Sequence, residues 1–520
     1  MKAILSCQEL AKVMASEKLF AVFDVRERGE FNRCQIPQAT SLPRSQIEFR
    51  IAQLVPNRQV PIVLYDEGDA RAPLAAATLL RLGYEQVNIL EGGLSAWQVE
   101  ERSTVSGVNV PSKAFGEKIH HEREVPDLTV EELKDLTERS SNLVILDVRT
   151  PEEYGRFCIP GGINVPGGDL ILWAHELKQK SNVEVIVNCA GRTRSIIGAA
   201  TLRRLGLTPV RALRNGTMGW VLAGLELENK PGRSGPSAPD ASREQAVTQA
   251  LKIANEESIP FTSVEQLRAI NIGAEAIYLI DVRSESEYES GHLAGSINVP
   301  GGQAVQRADD FVALRNAPIV FISDQSARAI MAAYWYRLMH FPNISVLQGG
   351  LRAWKESGGK VETGTSQVEP LGYEAAKKNS RLIEANDLNL KIRSASAILD
   401  VGSSPEFEAA HVPRAQWISR GWLELELPEQ FPDREQPIIL TCPDGQSSAL
   451  AAQTLQDLGY ANVSVLNGGV RAWLAAGLPI EKGLYACLVE PNDVVLSPSI
   501  RGNKEDMLRY LEWETKLPRS

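Results

Sequence analysis

Cys189 and Cys442 each close a short apolar run and stand just before a helical pattern, where a thiol can meet the positive end of a helix. Each lies 42 residues after an Asp that ends an earlier apolar run, and Asp66 and Ser323 occupy the same position in two further copies. Five residues on stand Arg71, Arg194, Arg328 and Ser447, so only Cys189 combines a thiol with that Arg. A helix N-terminus offers unpaired N–H groups, and a tight loop adds inward N–H donors in an anion-binding nest. Arg192 and Arg194 add full charges. All three effects favour thiolate over thiol, and thiolate is the nucleophile. Cys189 is the expected catalytic residue. Ala190, Gly191, Arg192, Thr193, Arg194 and Ser195 form the expected substrate-binding loop, its backbone N–H groups stabilising a sulfur anion and its two Arg residues holding an anionic substrate.

The elements that place this loop repeat. Apolar runs end in Asp24, Asp147, Asp281 and Asp400, and Trp97, Trp220, Trp354 and Trp473 follow 73 residues later in every copy. Glu30, Glu153, Glu287 and Glu406 stand six residues after each Asp, followed at once by an aromatic. Within each copy, short apolar runs such as 143–146 and 183–187 read as buried strands. The pattern from Ile196 to Leu205, closed by Gly206, reads as a helix. Strands alternating with helices give an α/β class, a mostly parallel sheet flanked by helices, in four tandem domains. The expected bounds are 1–105, 125–228, 258–360 and 380–482, with a tail over 483–520. Residues 103–126 read as a polar join, 229–240 as a flexible linker, and 360–380 as a third join. A helix face carrying Val247, Ala250, Leu251 and Ala254 follows the linker. In the tail, 504–517 reads as a helix carrying Leu508, Leu511 and Trp513, docked on the body or forming a homo-oligomer contact.

Composition narrows the function. The 520 residues carry 55 Lys and Arg against 65 Asp and Glu, a net charge of −10, which argues against nucleic acid or an anionic membrane as partner. No run approaches the roughly 20 apolar residues of a membrane span. Met1 to Cys7 lacks a signal-peptide core, so the expected home is the cytoplasm. Six Cys without a CxxC pair make neither a disulfide framework nor a zinc site. No phosphate-binding Gly loop or metal spacing appears, so no cofactor and no metal is expected. Cys158 is weighed as a resolving thiol, with packing as the default. Cys7, Cys34 and Cys487 have no partner pattern, and the His120-His121 pair reads as solvated.

The second copy resembles the rhodanese family of sulfurtransferases in Asp147-Val148-Arg149, in Glu153-Tyr154, in the run from Ile159 to Pro166, and in the loop from Cys189 to Ser195. The third resembles it in Asp281-Val282-Arg283 and from Gly291 to Pro300. The resemblance implies four tandem rhodanese-like domains. It also implies that Cys189 accepts a sulfane sulfur from a small anionic donor such as thiosulfate and passes it to cyanide or a thiol acceptor. Asp147 and Arg149 are then structural support. Cys-x4-Arg is shorter than the Cys-x5-Arg of related phosphatases. The charged loop differs from the Cys-Gly-Ser/Thr-Gly-Val-Thr loop that mercaptopyruvate-type relatives carry. Asp66 and Ser323 are expected to be silent. Cys442, beside Asp444 and without the Arg, is a candidate second thiol. A binding scaffold with little catalysis is the alternative function.

Overall fold

The computed structural model describes residues 3–139, 142–180, 182–233, 235, 238–270, 275–365, 369–393 and 397–517. Each copy builds a five-stranded sheet paired in parallel throughout. In the second copy the order across the sheet is Asp127–Leu128, Val210–Leu213, Glu184–Asn188, Leu143–Asp147, Ile163–Asn164. The central strand carries Val185, Ile186 and Val187, all buried, as a strand covered on both faces requires. Its C-terminal end delivers Cys189, and the helix Thr193–Arg204 follows. The other three copies repeat this order.

The repeated residues hold equivalent places. Each Trp indole N–H donates to a backbone carbonyl six residues on, at Ser103, Glu226, Lys360 and Pro479. This satisfies the one polar atom of a buried aromatic. Asp147 and Arg149, each about 1% exposed, face each other with Nε–Oδ1 at 2.9 Å and Nη2–Oδ2 at 2.7 Å. Arg149 Nη2 also donates to the Phe157 carbonyl at 2.6 Å. Asp24–Arg26 and Asp281–Arg283 repeat the pair. In the fourth copy Gly402 replaces the Arg; Thr441 and the Gly402 N–H donate to Asp400 instead.

The joins depart from the expectation. Residues 103–126 contain a helix, Val110–Glu122, with Val110, Phe115 and Ile119 buried. It packs along Thr193–Arg204. Asp240–Glu256 packs likewise on Ala327–Leu338, and Tyr373–Asn379 on Gln446–Asp457. Each join therefore covers the helix that follows the nucleophile position of the next copy. On Asp240–Glu256 the buried face is Ala246, Ala250, Ile253 and Ala254, while Leu251 is exposed. The expected linker is partly bound to the edge strand: Asn164 N–H donates to the Arg233 carbonyl and Gly235 N–H to the Asn164 carbonyl. Positions 234 and 236–237 of that linker, and 366–368 of the third join, lie outside the described residues.

The chain divides into two compact units. One, 1–108 with 367–495, holds the first and fourth copies. They meet through Arg420 on Glu48, Arg44 on Glu424, and the Ser419 hydroxyl, which donates to Glu27 at 2.7 Å. The other, 109–366 with 496–520, holds the second and third copies and the C-terminal helix Lys504–Thr515. There Arg328 reaches Asp169 at 3.0 Å.

Candidate active site

The loop between Cys189 and Thr193 is fastened from outside by the Gly-rich turn before Trp220. Thr217 N–H donates to the Cys189 carbonyl at 2.9 Å and Met218 N–H to the Ala190 carbonyl at 3.0 Å. Gly216 has φ +52°, and a Cβ there would stand 2.1 Å from the Cys189 carbonyl oxygen. Only glycine allows so close an approach. Gly93, Gly350 and Gly469 meet the corresponding carbonyls of Asp66, Ser323 and Cys442 in the same way.

Cys189 is 2% exposed. Its sulfur lies 3.5 Å from the Ser195 hydroxyl, which itself donates to the Arg192 carbonyl at 2.8 Å. Burial pushes the Cys189 thiol up. The Arg194 charge and the hydroxyl and N–H of Ser195 pull it down, and the carboxylate of Glu514 pushes it up again. The expectation of a thiol lowered by its loop is therefore corrected for this state of the molecule. The favourable groups are present, but desolvation outweighs them.

The two Arg residues are also placed differently from expectation. Arg194 makes a fork with Glu153, at 2.6 and 2.8 Å, and Arg192 makes one with Glu117, at 2.6 and 2.9 Å. Both guanidiniums are mostly buried. Their charge acts on the loop, but their donors are engaged by carboxylates, so neither offers a free fork to a substrate. Glu117 lies on Val110–Glu122, within the stretch expected from sequence to be a polar join.

The wall opposite the loop comes from the chain's last helix. Met507 and Leu511 pack on Met218, and Tyr510 touches the same cluster. Glu514 Oε1 accepts from the Thr193 hydroxyl at 2.6 Å and from its N–H at 3.4 Å. Lys113 lies 4.9 Å from the centre of the Tyr510 ring and 5.1 Å from that of Trp513. The expected tail helix exists, but its buried face is Met507, Leu511 and Glu514, with Leu508 half exposed. Spacing of i, i+4 and i+7 was available as a signal. An acidic residue on that face reads as solvent-facing, which concealed Glu514.

The other copies differ at the centre. The Asp66 carboxylate takes the place of the nucleophile and accepts from Gly68 N–H at 2.9 Å and Ala72 N–H at 2.7 Å. Burial pushes it up to about 6, against those two donors and with Asp69 adding to the rise. Ser323 accepts from Ala329 N–H at 3.3 Å. Cys442 receives the fuller cradle: Gly445 N–H at 3.2 Å, Ser448 N–H at 3.4 Å, and the Ser448 hydroxyl 3.3 Å away. Burial still pushes it up to about 11, with Asp400 and Asp444 adding to the rise against Ser448. Cys158 is buried in the pairing of Phe157–Cys158 with Glu228–Asn229. His120 Nε2 lies 3.4 Å from Asp127, so that half of the expected solvated pair has a partner. Among the described residues no group of three His, Cys, Asp or Glu side chains is placed to hold a metal, and no helix is long and apolar enough to cross a membrane.

Comparison with known proteins fits this architecture. The model of the rhodanese-like domain family matches residues 6–100, 129–223, 263–357 and 384–476. A crystal structure of a thiosulfate sulfurtransferase from Pseudomonas aeruginosa is 35% identical, with a TM-score of 0.91, covering 99% of this chain and 97% of that one. The 3-mercaptopyruvate sulfurtransferase of Escherichia coli K12 is 25% identical over 260 residues, 39% of this chain and 92% of its own. A Bacillus subtilis protein is 32% identical over 97 residues, 19% of this chain and 51% of its own length, so the chain spans about half of that relative.

Proposed function

The chain belongs to the rhodanese family, and from that premise we propose that it is a sulfurtransferase of the thiosulfate type whose working centre is Cys189. The single observation that carries the placement is Cys189 at the end of the central strand. It is the one nucleophile position in the chain that has both a thiol and the Arg five residues on. The chemistry is a two-step exchange. The Cys189 thiolate attacks the outer sulfur of thiosulfate, the S–S bond breaks, and sulfite leaves with the bonding pair. Cyanide or a thiolate then attacks the outer sulfur of the persulfide, and the Cys189 thiolate departs.

The loop's own groups serve these steps. The Ser195 N–H lies on the sulfur side, and the Ser195 hydroxyl stabilises the thiolate by turning from the Arg192 carbonyl to donate to the sulfur. Arg194, anchored by Glu153, adds positive potential without contacting the donor. Ala190, Gly191 and Thr193 form the loop between the thiol and the helix Thr193–Arg204, and Arg192 holds that loop to Val110–Glu122. Asp66 and Ser323 leave the first and third copies without a sulfur carrier. The six cysteines are free, which supports a reducing compartment such as the cytoplasm. A binding scaffold is the second reading, favoured by the near-complete burial of Cys189.

Thiocyanate formation from thiosulfate and cyanide by wild type, Cys189→Ser and Cys442→Ser tests the proposal. Loss with Cys189→Ser alone supports it. An inactive wild type that gains no sulfur on Cys189 by intact mass turns the assignment to the scaffold.

A further inference from the structure

The C-terminal helix sits on the loop in the manner of a bound anion. Thr193 opens the helix Thr193–Arg204, and its N–H and hydroxyl both reach Glu514 Oε1. Such helix starts bind carboxylates and other anions. The first copy gives an internal precedent, since its equivalent loop holds the Asp66 carboxylate on two backbone N–H groups. The hydroxyl at Thr193 is peculiar to the Cys189 copy, because the corresponding residues are Ala70, Ala327 and Gln446.

The other carboxylate oxygen points the same way. Glu514 Oε2 is buried with no hydrogen-bond partner among the described residues and stands 3.3 Å from where a Gly191 Cβ would lie. The Tyr510 ring stands 3.4 Å from the same point. A side chain at 191 would lift the helix off the loop, so glycine permits the contact. The helix is fastened by Met507 and Leu511 against Met218, with Val221, Leu222 and Tyr510 packed on them, by Lys113 against Tyr510 and Trp513, and by packing on Val110–Glu122. A helix held by a few side chains near a chain end opens more readily than a sheet core.

We propose that Glu514 is a specificity-determining residue of the Cys189 site: its carboxylate occupies the anion position at the start of Thr193–Arg204, so that an anionic donor reaches the thiol only by displacing it together with the C-terminal helix. The inference rests on the reading of Cys189 as the working thiol. The filter acts through the charged form of Glu514: burial pushes its carboxyl up, Lys113 and the Thr193 hydroxyl pull it down, Glu117 pushes it up again and Arg192 pulls it down. The internal carboxylate competes with dianionic donors and disfavours a neutral visitor less, so it filters by charge as well as by space.

The test reads Cys189 directly and needs no sulfur transfer. Full-length wild type, Glu514→Gln and Leu511→Asp are alkylated with neutral iodoacetamide and anionic iodoacetate, and labelling of Cys189 is followed by peptide mass mapping. Glu514→Gln keeps an acceptor for Thr193 and removes the charge. It is expected to raise the iodoacetate-to-iodoacetamide rate ratio at Cys189 by about fivefold or more. Leu511→Asp loosens the helix and is expected to speed both reagents by about tenfold. An unchanged ratio in Glu514→Gln overturns the proposal even where Leu511→Asp fails to fold. Unchanged rates in a Leu511→Asp protein with native near-ultraviolet circular dichroism overturn it as well. If the alkylation behaves as expected while the wild type forms no thiocyanate, the filter stands and the sulfur chemistry falls.

Discussion

Arg194 and Glu153 face each other through two parallel hydrogen bonds, of 2.6 and 2.8 Å, and the same pair recurs as Arg71 with Glu30 and Arg328 with Glu287. Two of these three copies have no cysteine at the nucleophile position. The fork is therefore first a brace between the short helix after the Asp and the helix after the loop, and its effect on a thiol is secondary. In the fourth copy Ser447 stands in place of the Arg, and among the described residues Glu406 keeps its capping role at Ser403.

The brace predicts an acid-sensitive stability. Burial alone would raise the Glu153 carboxyl, but the Arg194 charge and hydrogen bonds outweigh it and hold the group at about 2. A folded-state value below the ordinary one means stability that is present above about pH 4.5 and lost as pH falls toward 2. Glu153→Gln is expected to lower the thermal midpoint at pH 7, a cost on the order of 2–3 kcal/mol for an Arg left buried and unpaired. The gap from wild type should narrow at pH 3. Melts that differ equally at both values would contradict the brace.

Ser195→Ala removes one of the groups that pull the Cys189 thiol down while leaving the backbone N–H. Its alkylation profile should move to higher pH, with a rate at pH 8 lower by about threefold. In wild type the rate should still be climbing past pH 9, since burial holds the thiol above its ordinary value. A wild-type plateau near neutral pH would refute the desolvated state of Cys189.

Much of this was legible in the sequence because the repeat carries it. The Asp-to-Trp spacing located four sheets, and the Asp-to-Cys spacing located the strand end that bears Cys189. What escaped lies outside the repeat. Glu117 and Glu514 are acidic residues on helices, and in a sequence such residues read as solvated. They are buried because Arg192 and Thr193, distant in the chain, supply donors for them. Val110–Glu122 escaped because Pro111 and Gly116 lower its apparent helicity, whereas its packing on Thr193–Arg204 secures it. The charges of Arg192 and Arg194 were visible, but their engagement by Glu117 and Glu153 belongs to tertiary structure alone.

Cys442 gives a prediction about stoichiometry. It has more N–H donors on its sulfur than Cys189, yet burial with Asp400 and Asp444 holds it near 11. Burial pushes both thiols up, but the Arg194 charge pulls Cys189 down, whereas Cys442 has no Arg at that position and Asp400 and Asp444 push it further up, so its thiolate is the disfavoured nucleophile. Incubation with thiosulfate should load one sulfur per chain, on Cys189. Cys442→Ser should leave that amount unchanged, whereas halved loading by intact mass would make Cys442 a second carrier.

Arg192 supplies the last prediction, because two roles for it separate experimentally. If it bound the donor, Arg192→Gln would raise the thiosulfate KM and leave the thermal midpoint alone. The structure instead engages its fork with Glu117, both side chains under 10% exposed. Arg192→Gln should then leave Glu117 buried beside Glu514, lower the midpoint by several degrees, and reduce kcat through a displaced loop, at a cost of about 3 kcal/mol. Glu117→Gln makes the complementary change. It keeps one acceptor for Arg192, removes the compensating negative charge, and raises the positive potential at the loop. The thiosulfate KM should fall by about threefold with kcat changed less. A rise in KM on Glu117→Gln would show that the donor needs Arg192 held as it is, and an Arg192→Gln effect confined to KM would restore Arg192 to the substrate.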